Sequence, residues 1–342
     1  MKAILIHQHG GLDQVQFEEI DRRQVGPGHI LVRMKAAALN HLDLLVVEGF
    51  PALKLEMPHI LGADGAGVVE ALGEDVERFS VGDRVMLNAV LSCEECEFCR
   101  QGEHSMCIRL RLVGEHAPGT FAEYFLVPAV NLEKIPSAVS FEEAAAFSLV
   151  FQTAWRMLKT RVGLKAGDDV FIHGVGGGVC SAALQIVKLL GGRAFVSSSS
   201  DKKLEQARAM GADYCYSCEQ TNVVKEVFRE TAKRGVDVVV DNVGESTWMQ
   251  SLQMVRRGGK IVTCGATTGP NPKTEIRIIF WKQIDILGST MSNRSEYREL
   301  VGLLGEGRLK PVIDKTFPLA EGRQALKHLQ GQKQFGKVLL VT

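Results

Sequence analysis

Hydrophobic and polar positions are arranged differently in the two parts of this chain. Over the first ~135 residues short stretches alternate and break at turns, as at residues 30–35, 65–70 and 81–86; that spacing predicts a small, irregular β-barrel. The texture changes near Ser140. Ser140 and Glu143 fit a capping box, in which hydroxyl and carboxylate each answer a free backbone N–H, and an Ala-rich helix is expected to about Lys159. From Asp168 the pattern becomes strand, helix, strand, helix. Residues 170–172 and 236–240 are near-continuous apolar runs, as expected for strands buried on both faces of a parallel sheet. Residues 202–210 read as a helix closed by Gly211, residues 259–265 as a further strand, and residues 336–341 as a strand placed to return to the first domain. The alternation predicts an α/β domain with a doubly wound parallel sheet.

Length and charge narrow the possibilities. A chain of 342 residues is about right for two domains. Lys+Arg and Asp+Glu both total 40, which predicts no steering toward nucleic acid or an anionic membrane. The apolar run at residues 3–6 is too short for a signal peptide, and no stretch reaches the ~20 apolar residues of a membrane span. A cytoplasmic protein acting on a small molecule is expected, with neither nucleic acid nor membrane as partner.

Four of the eight cysteines, Cys93, Cys96, Cys99 and Cys107, form a C-x2-C-x2-C-x7-C cluster. Four thiolates on one short loop close a tetrahedron around zinc and leave no open position, so such a site is structural. An iron–sulfur cluster matches only the first three cysteines, and the fourth lacks the following proline; four free thiols are the bland alternative. Glu94, Glu95 and Glu97 oppose a nucleic-acid zinc ribbon. Cys215 and Cys218 form a second C-x2-C on a strand-like edge, where packing is favoured over redox chemistry.

A strand at residues 170–173 runs into Gly174, Val175, Gly176, Gly177, Gly178, Val179 and Cys180, followed by a helical stretch. Glycines let the backbone approach a pyrophosphate, and a helix N-terminus supplies N–H donors. With strand, turn, helix and second strand in order, this is a dinucleotide-binding pattern. The second strand ends in serines 197–200, with Asp201, Lys202 and Lys203 beyond, where NAD binding usually calls for a carboxylate. Hydroxyls and a lysine accept a 2′-phosphate, which favours NADP(H) over NAD(H).

Taken together, the segments at residues 61–69 and 81–85, the cysteine lobe, the glycine-rich turn and Phe335, Gly336, Lys337 and Val338 resemble the medium-chain dehydrogenase/reductase superfamily along essentially the whole chain. The resemblance implies a GroES-like β-barrel domain (1–150) interrupted by a Rossmann domain (151–284), with a return at 285–342, and a homodimer or homotetramer. It further implies Gly177, Gly178 and Val179 at the pyrophosphate, Ser198 and Lys203 at the adenosine ribose or its phosphate, and Asn242 and Val243 on the adenosine side. Thr153, Cys264, Gly265, Ala266, Ser289 and Thr290 would line the nicotinamide, and Lys337 would pair with a phosphate. Phe50, Phe151, Phe280 and Trp281 are expected near an apolar substrate pocket.

The departures are informative. Zinc alcohol dehydrogenases hold a catalytic zinc with a cysteine, a histidine and a second cysteine; here Asn40, Ala63 and Leu149 stand in those places. Alanine and leucine cannot ligate a metal, and a neutral amide is a poor zinc ligand. Without a Lewis acid, oxidising an unactivated alcohol is difficult, whereas hydride addition to a conjugated double bond demands less. The resemblance is then to zinc-free quinone and enoyl reductases, which implies an NADPH-dependent reductase of enones, enals, quinones or short enoyl thioesters. Asn40 would orient nicotinamide or substrate, His41 would relay a proton or lie by phosphates, and Asp43 completes the Asn-x-x-Asp pattern. Two alternatives stand beside it: an alcohol dehydrogenase with zinc relocated to His41, Asp43, His59 or Asp64, and a non-catalytic nicotinamide-binding protein.

Overall fold

The computed structural model describes residues 1–50 and 53–342 and divides into two compact units, Met1–Val150 with Ser292–Thr342, and Phe151–Met291. The first unit is built on the long strand His29–Ala38, which pairs antiparallel with Asp64–Leu72, Tyr124–Pro128 and Lys337–Val341. Its sheet runs in the order Leu132–Lys134, Arg84–Leu87, Asp64–Leu72, His29–Ala38, Lys337–Val341, Ile313–Pro318. Close strand approach depends on small residues here: a Cβ on Gly67 would fall 2.3 Å from the Arg33 carbonyl oxygen. Ile4, Leu39, Val46, Leu61, Phe121, Leu326 and Val338 share one buried core, so the C-terminal segment completes the barrel-like unit begun by the first residues.

The second unit is a six-stranded, all-parallel sheet in the order Tyr214–Ser217, Arg193–Ser198, Asp169–Ile172, Val236–Val240, Val255–Thr263, Asp285–Gly288. The central strands are buried along both faces, which accounts for their lack of alternation. Strand Asp285–Gly288 joins this sheet beside Val255–Thr263. The return to the first unit, expected at residue 285, therefore comes only at Ser292.

Ser140 caps as expected: its Oγ accepts the Glu143 N–H at 3.1 Å while the Glu143 carboxylate accepts the Ser140 N–H at 3.0 Å. The helix Phe141–Trp155 continues in wider π-type turns over Arg156–Val162 and stops at Gly163, in left-handed conformation. Of the four aromatic residues expected at a substrate pocket, Phe151 is buried, but Phe280 and Trp281 stand 63 % and 69 % exposed on the helix Ile276–Lys282. No described helix is long and apolar enough to cross a membrane.

Candidate active site

Strand register assembles a buried polar cluster in the first unit. Ala38 lies opposite Asp64 on one neighbouring strand and Leu339 on the other; continuing that register by two places sets Lys337 across from Asn40. The Lys337 ammonium donates to Asn40 Oδ1 at 2.5 Å and to Asp64 Oδ2 at 3.1 Å. Asn40 Nδ2 donates to the same Asp64 oxygen at 2.9 Å, and the Leu149 backbone N–H donates to Asp64 Oδ1 at 2.8 Å. Asp43, at the start of the helix His41–Glu48, accepts the Asn40 N–H at 2.7 Å, while its Oδ1 makes no hydrogen bond. Asn40 is 6 % exposed, Lys337 3 %, and Asp43 and Asp64 are fully buried.

Burial pushes the Asp43 carboxyl up to about 7, against the pull of the Asn40 N–H and the Lys337 ammonium; Asp64 beside it adds repulsion. His41 is half-buried on the same helix, and burial lowers its basicity. His59 is buried, donates to the Gly114 carbonyl at 3.1 Å and is likewise held below its usual pKa by burial.

This geometry corrects three expectations. Lys337 does not face a phosphate, because its ammonium is enclosed by Asn40 and Asp64. Asn40 and Asp43 are too deeply enclosed to touch substrate as they stand, and both ends of the Asn40 amide are already engaged. His41 alone of the three expected catalytic side chains is partly accessible. The central acceptor, Asp64, was legible only as an alternative zinc ligand. Its neighbour Ala63 carried the departure that drew attention, and nothing local signals the reach of Lys337 from the far end of the chain.

The cysteine cluster is assembled as expected. The four sulfur atoms of Cys93, Cys96, Cys99 and Cys107 lie within 4.8 Å of one another, with Cys93–Cys99 at 3.9 Å and Cys96–Cys99 at 3.5 Å. A tetrahedral zinc–thiolate centre needs sulfurs about 3.8 Å apart, so the donor set fits a structural zinc ion. The backbone N–H groups of Cys93 and Arg109 both point at the Cys107 sulfur at 3.3 Å, as donors to a thiolate would. Arg294 anchors the lobe by a bidentate pair with Glu94, both bonds 2.6 Å.

In the second unit the expected cofactor residues gather at the carboxyl ends of five parallel strands, where open α/β sheets bind ligands. The helix Gly178–Leu189 starts from Gly177 with no side-chain cap, and a Cβ on Gly177 would meet open space. Its free N–H groups and the glycine cradle, with Val179 in the first turn, fit a pyrophosphate. Val175 and Cys180, which depart from the usual glycines, are both turned inward: Val175 donates to Ser197 O at 2.8 Å and Cys180 Sγ to His173 O at 3.2 Å. Lys203 folds over the turn, its Cδ 2.7 Å from where a Gly176 Cβ would stand. Ser198 is buried and accepts the Ser200 N–H.

Asn242 and Val243 are half-buried after strand Val236–Val240, Cys264 is half-buried, and Gly265 and Ala266 are exposed after Val255–Thr263. Ser289 and Thr290 follow the last strand, Ser289 donating its N–H to Thr263 O at 2.9 Å, and Thr153 is buried with its hydroxyl toward Met291. A residue missed from sequence is Asp241. Its Oδ1 accepts the N–H groups of Val243 and Gly244, and Ser251, bonded to Asp241 Oδ2, also contacts His173, which precedes the glycine-rich turn.

Residues 26–137 match the family described as alcohol dehydrogenase GroES-like domain, and residues 178–306 match zinc-binding dehydrogenase. A zinc-type alcohol dehydrogenase-like protein of Schizosaccharomyces pombe is 32 % identical, with 99 % of each chain covered. An acryloyl-coenzyme A reductase of Metallosphaera sedula is 30 % identical over 100 % of both chains. A crystal structure of an NAD-dependent alcohol dehydrogenase superposes with a TM-score of 0.97 at 41 % identity, covering 100 % of each chain. The relatives are named as enzymes, which leaves the non-catalytic alternative without support. On this similarity, and on the fold and sites above, the chain belongs to the medium-chain dehydrogenase/reductase superfamily and is an oxidoreductase.

Proposed function

We propose that this oxidoreductase transfers hydride from NADPH to an activated α,β-unsaturated carbonyl compound (an enone, enal, quinone or short enoyl thioester) without a catalytic metal ion. The observation that carries this reading is the Lys337 ammonium seated between Asn40 and Asp64. At the three places where the superfamily's zinc alcohol dehydrogenases ligate metal there is neither thiolate nor imidazole, and the adjacent carboxylate, Asp64, is already neutralised from within. A bound nicotinamide would supply the hydride for the β-carbon, with the double-bond electron pair drawn to the carbonyl oxygen and the α-carbon protonated from water. The chain's own part is to hold the cofactor on the glycine cradle at Gly177, Gly178 and Val179, and to keep the loop at Asn40 and His41 rigid. The relative named acryloyl-coenzyme A reductase supports the thioester end of the substrate range.

NADPH is favoured because strand Arg193–Ser198 ends in serines and Lys203 lies against the glycine-rich turn. A homodimer or homotetramer belongs to the same proposal. A second reading, an alcohol dehydrogenase with relocated zinc, is favoured by the name of the structural relative. Against it, the cysteine lobe is the group of metal donors drawn together among the described residues; His41, Asp43, His59 and Asp64 form no such group.

The test measures NADPH and NADH oxidation against a panel of enones, quinones and enoyl thioesters, with metal analysis of the same preparation. Turnover with one zinc per chain, insensitive to mild chelation and at least about tenfold better in kcat/KM with NADPH, is the expected result. Alcohol oxidation with two zinc ions per chain would establish the second reading instead.

A further inference from the structure

We propose that Lys337 is a positioning residue whose buried ammonium supplies, from within the chain, the positive charge around which positions 40, 64 and 149 are organised. This deepens the metal-free reading and rests on it. Three observations converge. The ammonium bonds two groups at once, the Asn40 amide oxygen and an Asp64 carboxylate oxygen, and those two groups are bonded to each other. Asp64 in turn receives the Leu149 N–H, so one cation reaches two of the places from which the metal ligands are missing, Asn40 directly and Leu149 through Asp64, and Asp64 itself adjoins the third, Ala63. Finally, the cluster is almost wholly buried, so bulk water and dissolved ions screen it little.

A buried lysine with such partners is not explained by solvation or by packing of its hydrocarbon stem. Burial of an ammonium is costly unless it is paired and hydrogen-bonded, and here strand Lys337–Val341 delivers it against His29–Ala38 by register. Lys337 thereby fixes which way the Asn40 amide faces, since Oδ1 turned toward the ammonium leaves Nδ2 to donate to Asp64. The same contacts tie down the start of the helix His41–Glu48, and with it His41. Asp43 shows the limit of the device. One ammonium faces two buried carboxyls, Asp43 and Asp64, and Asp43 is the one driven toward its neutral form.

Chemical rescue separates charge from packing. Lys337→Ala removes the ammonium and leaves space for propylammonium, whereas Lys337→Met fills most of the space without charge. Both variants are expected to lose about 100-fold in kcat/KM, mostly in kcat, with cofactor KM little changed, because a displaced catalytic loop costs that order. Propylammonium is expected to restore Lys337→Ala by about tenfold through mass action, while equal concentrations of 1-propanol or sodium chloride do not, and Lys337→Met does not respond. If Lys337→Ala does not fold unaided, refolding yield with propylammonium against 1-propanol reads the same requirement. Wild-type kcat/KM in Lys337→Met, or equal rescue by propanol and propylammonium, would overturn the proposal. Two zinc ions per wild-type chain would overturn the metal-free reading itself, and that count is taken on a separate preparation.

Discussion

The cysteine lobe and the Asn40–Asp64–Lys337 cluster are two solutions to one electrostatic problem within a single unit. Each gathers anionic groups that repel when brought together. In the lobe, Cys93, Cys96, Cys99 and Cys107 converge to within 4.8 Å, and the cationic side chain bonded to them, Arg109 at Cys93, cannot balance four thiolates, so the remaining charge calls for a bound ion. In the cluster, Lys337 provides the charge covalently, and a proton on Asp43 offsets part of the remainder. Four convergent soft thiolates call for zinc; hard carboxylates already paired with an ammonium do not. Loss of an ion is therefore expected to disturb the first region and leave the second untouched.

The largest effect is expected from Cys99→Ser. Removing one of four ligands should abolish zinc retention and unfold the lobe, since structural zinc contributes on the order of 10 kcal/mol to the local fold. Metal analysis with hydrogen exchange over residues 93–110 reads this; retained zinc and unchanged exchange would dissolve the comparison. Next comes Asp64→Asn, which keeps the shape and leaves the Lys337 ammonium without its carboxylate. Breaking a buried pair by removing one partner costs about 3–5 kcal/mol, seen as a lower denaturation midpoint with zinc content unchanged.

The smallest effect sharpens the comparison through pH. Burial holds the Asp43 carboxyl up at about 7 in the folded chain, against about 4 for an ordinary aspartate. Between those values the folded state holds a proton that the unfolded state has released, so this carboxyl's contribution is full below about 4 and is lost as pH rises toward 7. The groups facing it are the Asn40 and Gly62 N–H groups, Lys337 and Asp64. Asp43→Asn cannot ionise and should flatten that slope, giving a variant that gains steadily on the wild type as pH rises across the window. Parallel stability curves for the two proteins between pH 4 and 7 would place the proton elsewhere.

Much of the fold was legible in local pattern. Apolar runs marked the central parallel strands, Ser140 with Glu143 marked a helix start, and the glycine-rich turn marked a loop between strand and helix. The cysteine site was legible because all four ligands fall within one loop. What was not legible depended on long sequence separation. Phe280 and Trp281 are apolar yet exposed, and Asp285–Gly288 is a strand of the parallel sheet only because Val255–Thr263 lies beside it. The Asp241–Ser251–His173 link joins the ends of two adjacent strands that are far apart in the chain.

Sequence by itself determined the elements, the superfamily resemblance, the zinc lobe and the absence of thiolate or imidazole at positions 40, 63 and 149. These are properties of residue type and short spacing, and no partner from elsewhere in the chain can alter them. The tertiary structure alone decided that Lys337 points inward rather than toward a phosphate, that Asn40 is enclosed with both ends of its amide engaged, and that Asp43 is driven toward its neutral form. Those outcomes follow from antiparallel register between strands His29–Ala38 and Lys337–Val341. The charge of a lysine is written in its residue type, but the partner that charge finds depends on which strand lies opposite and on how completely water is excluded.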